Sequence, residues 1–369
     1  MVVNKKATGI FILKLFAAVI SVVLLLSFIN GLYIKGYYYR DTYGETEKMK
    51  DVPYGIKMVN TGTSHGLASF HYPKEYENTY NLALSGEDIY HDFQTLKQFS
   101  NHFEKGCIVA IPVSYFSFCM STEEPSQKRY YTYLDKEKIR DFTYETLLSA
   151  KYLPVLKSGE YIIKDLINDQ EMDIGAQMMA DRENVPEEDV VYNASNQNAN
   201  SVSDETQNTN TPTVSEDETD ADVLKTVYGL SAEERNRKNE YLASHAAGRV
   251  ESWRSGYMIN GRIYINKNTE ILKEMVNFCY EQGFRPLLVT TPIYTALNEE
   301  FTEEELDICY FDNMKKVQKE TGVPYLELSH DSELSFTPDY FDNSDHLNRY
   351  GAVAFWEKYI TFLKQVGYY

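Results

Sequence analysis

Ser64 sits in the stretch Val59-Asn60-Thr61-Gly62-Thr63-Ser64-His65-Gly66, where a short β-type run is followed by two glycines around a serine and then an amphipathic segment. That order predicts strand, tight turn and helix. Such a turn lifts a hydroxyl out at the carboxyl edge of a parallel sheet and turns backbone N–H groups towards whatever lies beside it. A serine hydroxyl is a weak nucleophile at neutral pH and needs a base. The base expected from the sequence is His346, far along the chain in Asp342-Asn343-Ser344-Asp345-His346-Leu347-Asn348-Arg349-Tyr350-Gly351-Ala352. Asp342 and Asp345 lie in the same loop, so a carboxylate is at hand to hold the imidazole in the right tautomer. Serine, imidazole and carboxylate together are the equipment of acyl transfer through a covalent intermediate.

Both ends of the chain must then meet on one rim. Residues 80–86 read as a second strand ending in Gly86, and the continuous apolar run 107–113 reads as a third, covered on both faces and followed by Ser114. Between them Ile89, Phe93, Leu96 and Phe99 recur at helical spacing. Residues 123–166 read as a helical, tyrosine-rich cap. Ser231 caps a helix running through Arg235, Asn239, Leu242 and His245 towards Trp253. Helices over 269–282, 303–321 and 350–366 alternate with strands over 286–292 and 325–328, a pattern that predicts an α/β sandwich. His346 follows the last strand and opens the last helix, which puts it at the same sheet edge as Ser64. His65 is expected beside the serine, and Thr291 and Tyr294, after another strand, are expected to line an acceptor cleft.

The G-T-S turn near the start and D-H-L-N-x-x-G-A near the end resemble the SGNH (GDSL-type) hydrolase superfamily, nearest its membrane-anchored DltD-like and polysaccharide O-acetyltransferase-like branches. The likeness covers about residues 50–165 and 255–369. It implies a three-layer α/β/α sandwich with a central, mostly parallel sheet. It also implies an oxyanion hole made by the amides of Ser64 and Gly86. Relatives place an asparagine after the third strand; here Pro112-Val113-Ser114 stands instead, which leaves the third donor open, with a hydroxyl such as that of Ser114 as a candidate. Relatives place an aspartate three residues before the histidine, where this chain has Asn343. A one-residue insertion makes Asp342 the expected partner of His346, with Asp345 the alternative. The resemblance implies a serine esterase or O-acyltransferase moving an acetyl or alanyl group to or from cell-envelope polysaccharide or teichoic acid, with a membrane-bound O-acyltransferase as partner. The alternative is a catalytically inactive envelope scaffold of the same fold. No cofactor is implied.

Of the 369 residues, 43% are hydrophobic and 31 are tyrosines, ample for a packed core. Residues 10–34 form a nearly unbroken apolar run, long enough to cross a hydrocarbon core of about 30 Å. The expectation is an uncleaved single-pass anchor in the cell membrane, residues 1–9 cytoplasmic and the globular part extracytoplasmic, with Tyr33, Tyr37, Tyr38 and Tyr39 as an interfacial belt. The net charge of −19 argues against nucleic-acid binding. Much of it falls in residues 168–225, where fifteen acids between Asp169 and Asp222 face Arg182 alone, with no apolar period. This stretch is expected to be a disordered acidic insertion between the two parts of the globular domain, 50–167 and 226–369. Cys107, Cys119, Cys279 and Cys309 have no metal-binding spacing and read as small buried residues, with one disulfide as the alternative. No histidine spacing suggests a metal centre.

Overall fold

The computed structural model describes residues 5–73, 76–157 and 231–369; the acidic insertion expected at 168–225 lies outside the described residues. Five strands, β1 (Ile56–Asn60), β2 (Thr79–Asn81), β3 (Phe103–Pro112), β4 (Arg285–Thr290) and β5 (Tyr325–Glu327), form one parallel sheet in the order β2-β1-β3-β4-β5. The chain moves outwards from β1 to β2, then crosses back and continues on the other side through β3. The strand order therefore reverses between β1 and β3, and the crevice beyond the strand ends at such a point is where open α/β sheets bind ligands. Ser64 follows β1 and stands there.

The helices flanking this sheet follow from the alternation of its side chains. On β3, Cys107, Val109 and Ile111 join one hydrophobic cluster with Phe93 and Leu96 of α4 (Ile89–Phe99) and with residues of two helices from the second half, α7 (Ile265–Glu281) and α8 (Asp312–Thr321). The intervening Ile108 and Ala110 join a second cluster with Phe355, Trp356 and Tyr359 of α9 (Arg349–Gln365) and Leu242 of α6 (Ala232–Trp253). The central run of β3, Cys107–Pro112, is apolar throughout because its two faces meet these two clusters. The expected helix over 303–321 forms with a π turn at Asp307–Phe311 before α8. The expected second strand is regular only over Thr79–Asn81, although the Leu82 and Leu84 amides still donate to Asn60 O and Gly62 O.

Two expectations are corrected. Residues 123–157 are not a helical cap: they fold as short 3-10 turns, one four-residue helix α5 (Tyr144–Leu147) and a π turn over Leu148–Tyr152. Hydroxyls account for part of this, since Thr132 bonds its own turn through Arg129 O and Tyr131 Oη holds Asp141 O and the Thr143 amide. The second concerns the tyrosine belt. Among the described residues one helix, α1 (Lys5–Lys35), is long and apolar enough over Thr8–Lys35 to cross a membrane, and none of its most apolar window is buried. At its end, however, Tyr33 and Tyr39 turn inwards and are buried with Tyr43 and Val155. Tyr39 and Tyr43 belong to α2 (Tyr37–Glu47), and their rings pack against each other, tilted by 33°, at 4.8 Å. All four cysteines are buried free thiols.

Candidate active site

The turn after β1 has the strand–turn–helix form expected from its glycines. Gly62 has φ +105°, and a Cβ there would come within 3.1 Å of Pro112 O. At Gly66 a Cβ would lie 2.6 Å from Thr61 O, so only glycine lets the short helix α3 (Ser64–Ser69) close onto the strand ends. Thr63 caps that helix by accepting the His65 amide. Ser64 opens it, so its own N–H has no acceptor within the helix. Asn60 and Asn81 pin the far side: Asn60 Nδ2 donates to Asn81 Oδ1 at 2.9 Å, and Asn81 Nδ2 to Phe70 O at 3.1 Å.

His346 is carried by an antiparallel hairpin of β6 (Phe341–Asn343) and β7 (His346–Leu347). Its Nε2 lies 2.7 Å from Ser64 Oγ. Behind the ring, Nδ1 is 3.0 Å from Asn343 Oδ1. That same oxygen accepts the backbone amides of Asp345 at 3.2 Å and His346 at 3.0 Å, so the amide's orientation is fixed by two obligate donors. A carbonyl oxygen facing Nδ1 requires the proton there. Nε2 is then left as an acceptor for the Ser64 proton, the tautomer a general base needs.

The expected carboxylate, Asp342, is not the one beside the ring. Asp345 is, with Oδ1 3.4 Å from His346 Nδ1, while the charge of Asp342 acts on Lys238 and His71. The two-residue hairpin turn explains the exchange: it folds Asp345 back under its neighbour instead of projecting it to the opposite side. Asp345 is 1% exposed. Its Oδ2 accepts both Nε and an Nη of Arg249 at 2.9 Å, and lies 3.4 Å from His65 Nε2. Burial alone would raise the Asp345 carboxyl, but the contacts from His346 and His65 outweigh it and hold the group well below the usual carboxylate range. His65 is the residue expected beside the serine, and it lies behind the site. It is buried, its ring stacks on His346 at 4.7 Å, and burial lowers its pKa.

Ser114 and Tyr294 are placed differently from expectation. Ser114 Oγ is buried 2.8 Å from His65 Nδ1 and 3.1 Å from Thr63 Oγ1, so it props His65 and the turn and does not face an oxyanion. Tyr294 donates to Asn239 Oδ1, and its amide to Ser344 O, bracing the hairpin from below; with Thr291 it is buried and lines no open cleft. Both follow strand ends, and the connecting chain folds back over them. Gly86 lies in the turn that closes β2's extension, where the Glu87 amide returns to Leu84 O at 3.3 Å, and it has φ +62° with open space where a Cβ would be.

Several residues of the site had no assigned role in the sequence. Asp92 on α4 clamps the nucleophile turn, accepting the Gly62 amide at 2.8 Å and the Thr61 hydroxyl at 3.0 Å. Burial raises its pKa to about 7, against the pull of those two bonds. Glu45 of α2 accepts the Ser85 amide and hydroxyl at 2.7 and 2.6 Å, and Arg129 donates to Ser85 O and Gly86 O, so the Gly86 loop is held from two sides. One face of α6 holds the hairpin: Arg235 grips Asp339, Lys238 reaches Asp342 O, His245 meets Ser344 Oγ at 2.7 Å, and Arg249 pairs with Asp345. The available signal was a charged residue recurring on the inner face of a predicted helix. His65, Asp345 and His346 bring possible ligand atoms within 4.8 Å of one another, but stacked rings direct their in-plane lone pairs side by side, and Arg249 already brings a positive charge to Asp345.

Comparison with family models, with curated proteins and with solved structures finds no match.

Proposed function

We propose that this chain is a membrane-anchored, extracytoplasmic serine acyltransferase or esterase of SGNH type, with a three-layer α/β/α body. The observation that carries the reading is the 2.7 Å contact between Ser64 Oγ and His346 Nε2 at the switch point of a parallel sheet. Ser64 attacks the carbonyl carbon of an acyl donor while His346 takes its proton at Nε2. The tetrahedral intermediate collapses as His346 returns that proton to the leaving oxygen, and the acyl group stays on Ser64 as an ester. An acceptor hydroxyl, deprotonated by His346 in turn, then attacks the ester and releases Ser64. The amides of Ser64 and Gly86 are the donors for the oxyanion. Asn343 fixes the tautomer, and Asp345 supplies negative charge for the imidazolium.

The acyl group, acetyl or alanyl, and the acceptor, an envelope polysaccharide or teichoic acid, are proposed from the resemblance of the G-T-S and D-H-L-N-x-x-G-A stretches. So is a membrane-bound O-acyltransferase that supplies the acyl group. Apolar residues of α1 exposed along its length support an anchor. The test is labelling of the full chain by a fluorophosphonate together with turnover of an activated acetyl ester, comparing wild type with Ser64→Ala and His346→Ala. Labelling and turnover in the wild type that both variants lose support the enzyme. Equal labelling and turnover in all three overturns it, and no labelling or turnover in the wild type leaves an inactive scaffold. Product analysis with and without a polysaccharide acceptor separates transfer from hydrolysis.

A further inference from the structure

The path of the chain from α1 into the sheet fixes which edge of the domain is nearest the anchor. After Lys35 the chain turns at Gly36 and runs through α2, whose Glu45 bonds Ser85 at the carboxyl edge of the sheet. Next comes Lys48, whose Nζ donates to Ala83 O and whose carbonyl accepts Tyr80 Oη, half-way down β2 and its extension. Only then do Val52 and Pro53 meet His102 at the amino edge, from which β1 returns upwards to Ser64. Ten helical residues from Lys35 to Glu45 span about 15 Å. The Ser85–Gly86 rim is therefore tied to the end of the apolar helix through α2 and the Glu45 side chain, and the amino edge is the remote one.

A second apolar surface lies beside this rim. Tyr144, Leu148, Tyr152 and Leu156 are 71%, 45%, 60% and 49% exposed in a stretch whose Ser149, Ala150 and Val155 are buried. Val155 is seated on α1: its amide donates to Asn30 Oδ1, and its side chain packs with Tyr33, Tyr39, Tyr43 and Ile29. Asn30 lies within the apolar span Thr8–Lys35, so Leu156, the neighbour of Val155, emerges level with its last turns, where Phe28 and Leu32 are also exposed. Tyrosine and leucine flanked by the exposed Lys151 suit the boundary between acyl chains and headgroups.

We infer that Leu148, Tyr152 and Leu156 form a second contact with the lipid surface, which together with α1 stands the domain on the bilayer with its catalytic edge facing the membrane. The inference rests on reading α1 as a membrane anchor. It deepens the proposed function, because a site so held works on an acyl donor or acceptor carried at the membrane surface.

The experiment uses the full chain in vesicles of phosphatidylcholine and phosphatidylglycerol. An environment-sensitive fluorophore is attached to single introduced cysteines, Leu148→Cys, Tyr152→Cys or Leu156→Cys, in the folded protein, where the native thiols are buried. Ile20→Cys reports on the anchor, and Tyr54→Cys, 72% exposed near the remote edge, reports on the far side. The expected result is blue-shifted emission at 148, 152 and 156, with quenching by lipids spin-labelled near the headgroup. Ile20 should be quenched by deeply placed labels and Tyr54 by neither. Unquenched probes at 148, 152 and 156 with a quenched Ile20 overturn the second contact and leave the anchor standing. Blue shift without lipid quenching also overturns it, since protein then covers the patch. An unquenched Ile20 removes the anchor reading itself, and the inference with it.

Discussion

The rings of His65 and His346 stack 4.7 Å apart, and one buried carboxylate, Asp345, touches both from below, 3.4 Å from each. Only His346 reaches Ser64. His65 is buried, has Ser114 and Thr63 at its Nδ1, and serves as a packed wall behind the base. The charge of Asp345 is therefore shared among His346, His65 and Arg249, and not kept for the base alone.

That sharing makes Asp345 the side chain on which both stability and turnover depend. Asp345→Asn leaves Arg249 without its counter-charge and His65 and His346 without the carboxylate they face, and the expected loss is about 3 kcal/mol, at the low end for a broken buried pair because Arg249 is 33% exposed. Ester turnover should fall with it. Asp342→Asn should change neither by a comparable amount. Thermal melts and kcat/KM on both variants decide between the two carboxylates, and equal effects would refute the assignment of Asp345. Because Asp345 titrates lower folded than its ordinary value of 3.8, its stabilisation is present above that pH and is lost as the pH falls below it. The variant should lack this acid-limb component.

Asn343 sets a tautomer, and its removal should be read in kcat. In Asn343→Ala the amides of Asp345 and His346 and the imidazole Nδ1–H all lose one acceptor. A misdirected tautomer in a serine triad costs up to about ten-thousandfold. Here Asp345 remains at 3.4 Å to take over part of the task, so the expected loss is roughly a hundredfold in kcat, with little change in KM. A loss confined to KM would mean that Asn343 holds substrate and not the base.

Asp92 predicts an unusual pH dependence of stability. Its pKa rises from 3.8 unfolded to about 7 folded, so between those values the folded chain keeps a proton that the unfolded chain has lost. Stability must then fall as the pH rises through that window, by as much as about 4 kcal/mol from this group. Glu87, also raised by burial, adds to the slope. Asp92→Asn resembles the protonated form and can still accept the Gly62 amide, so it should flatten the profile between pH 4 and 7 while ester turnover persists. Denaturant titrations across that range would show a wild-type slope of the opposite sign if the assignment is wrong.

These residues also mark where the sequence was readable. The period of Ile89, Phe93, Leu96 and Phe99, the apolar run of β3 and the glycines around Ser64 are local signals, and the sheet and the nucleophile turn follow from them. Ser64 was legible as the residue after β1; His346 was expected at the same edge, and it arrives there on the separate β6–β7 hairpin, which the sequence did not announce. The partner of His346 was not legible, because a two-residue turn decides which neighbouring side chain folds under the ring, and spacing alone does not report turn geometry. Asp92, Arg249 and Glu45 were hidden for another reason. A charged residue on the inner face of a helix looks like any other polar interruption until the fold shows which backbone amide or carboxylate it meets.

The last prediction concerns Glu45, the only one of these residues on the segment that joins α1 to the sheet. Its two oxygens hold the Ser85 amide and hydroxyl, while Arg129 holds the carbonyls of Ser85 and Gly86. The amide of Gly86 is the proposed oxyanion donor, and its direction depends on how these two groups set the loop. Glu45→Ala removes one support, leaves Arg129 in place and lets the loop relax. A displacement of a donor by about 1 Å costs on the order of a hundredfold, so a ten- to hundredfold fall in kcat is expected. Glu45→Gln keeps one acceptor for the Ser85 amide, and its NH2 can donate to the hydroxyl, so it should recover most of the rate. Labelling of Ser64 by a fluorophosphonate should slow in parallel, since that reaction also builds negative charge on an oxygen in the same hole. If Glu45→Ala labels and turns over like the wild type, α2 carries the domain without setting its chemistry, and the Gly86 loop stands on Arg129 alone.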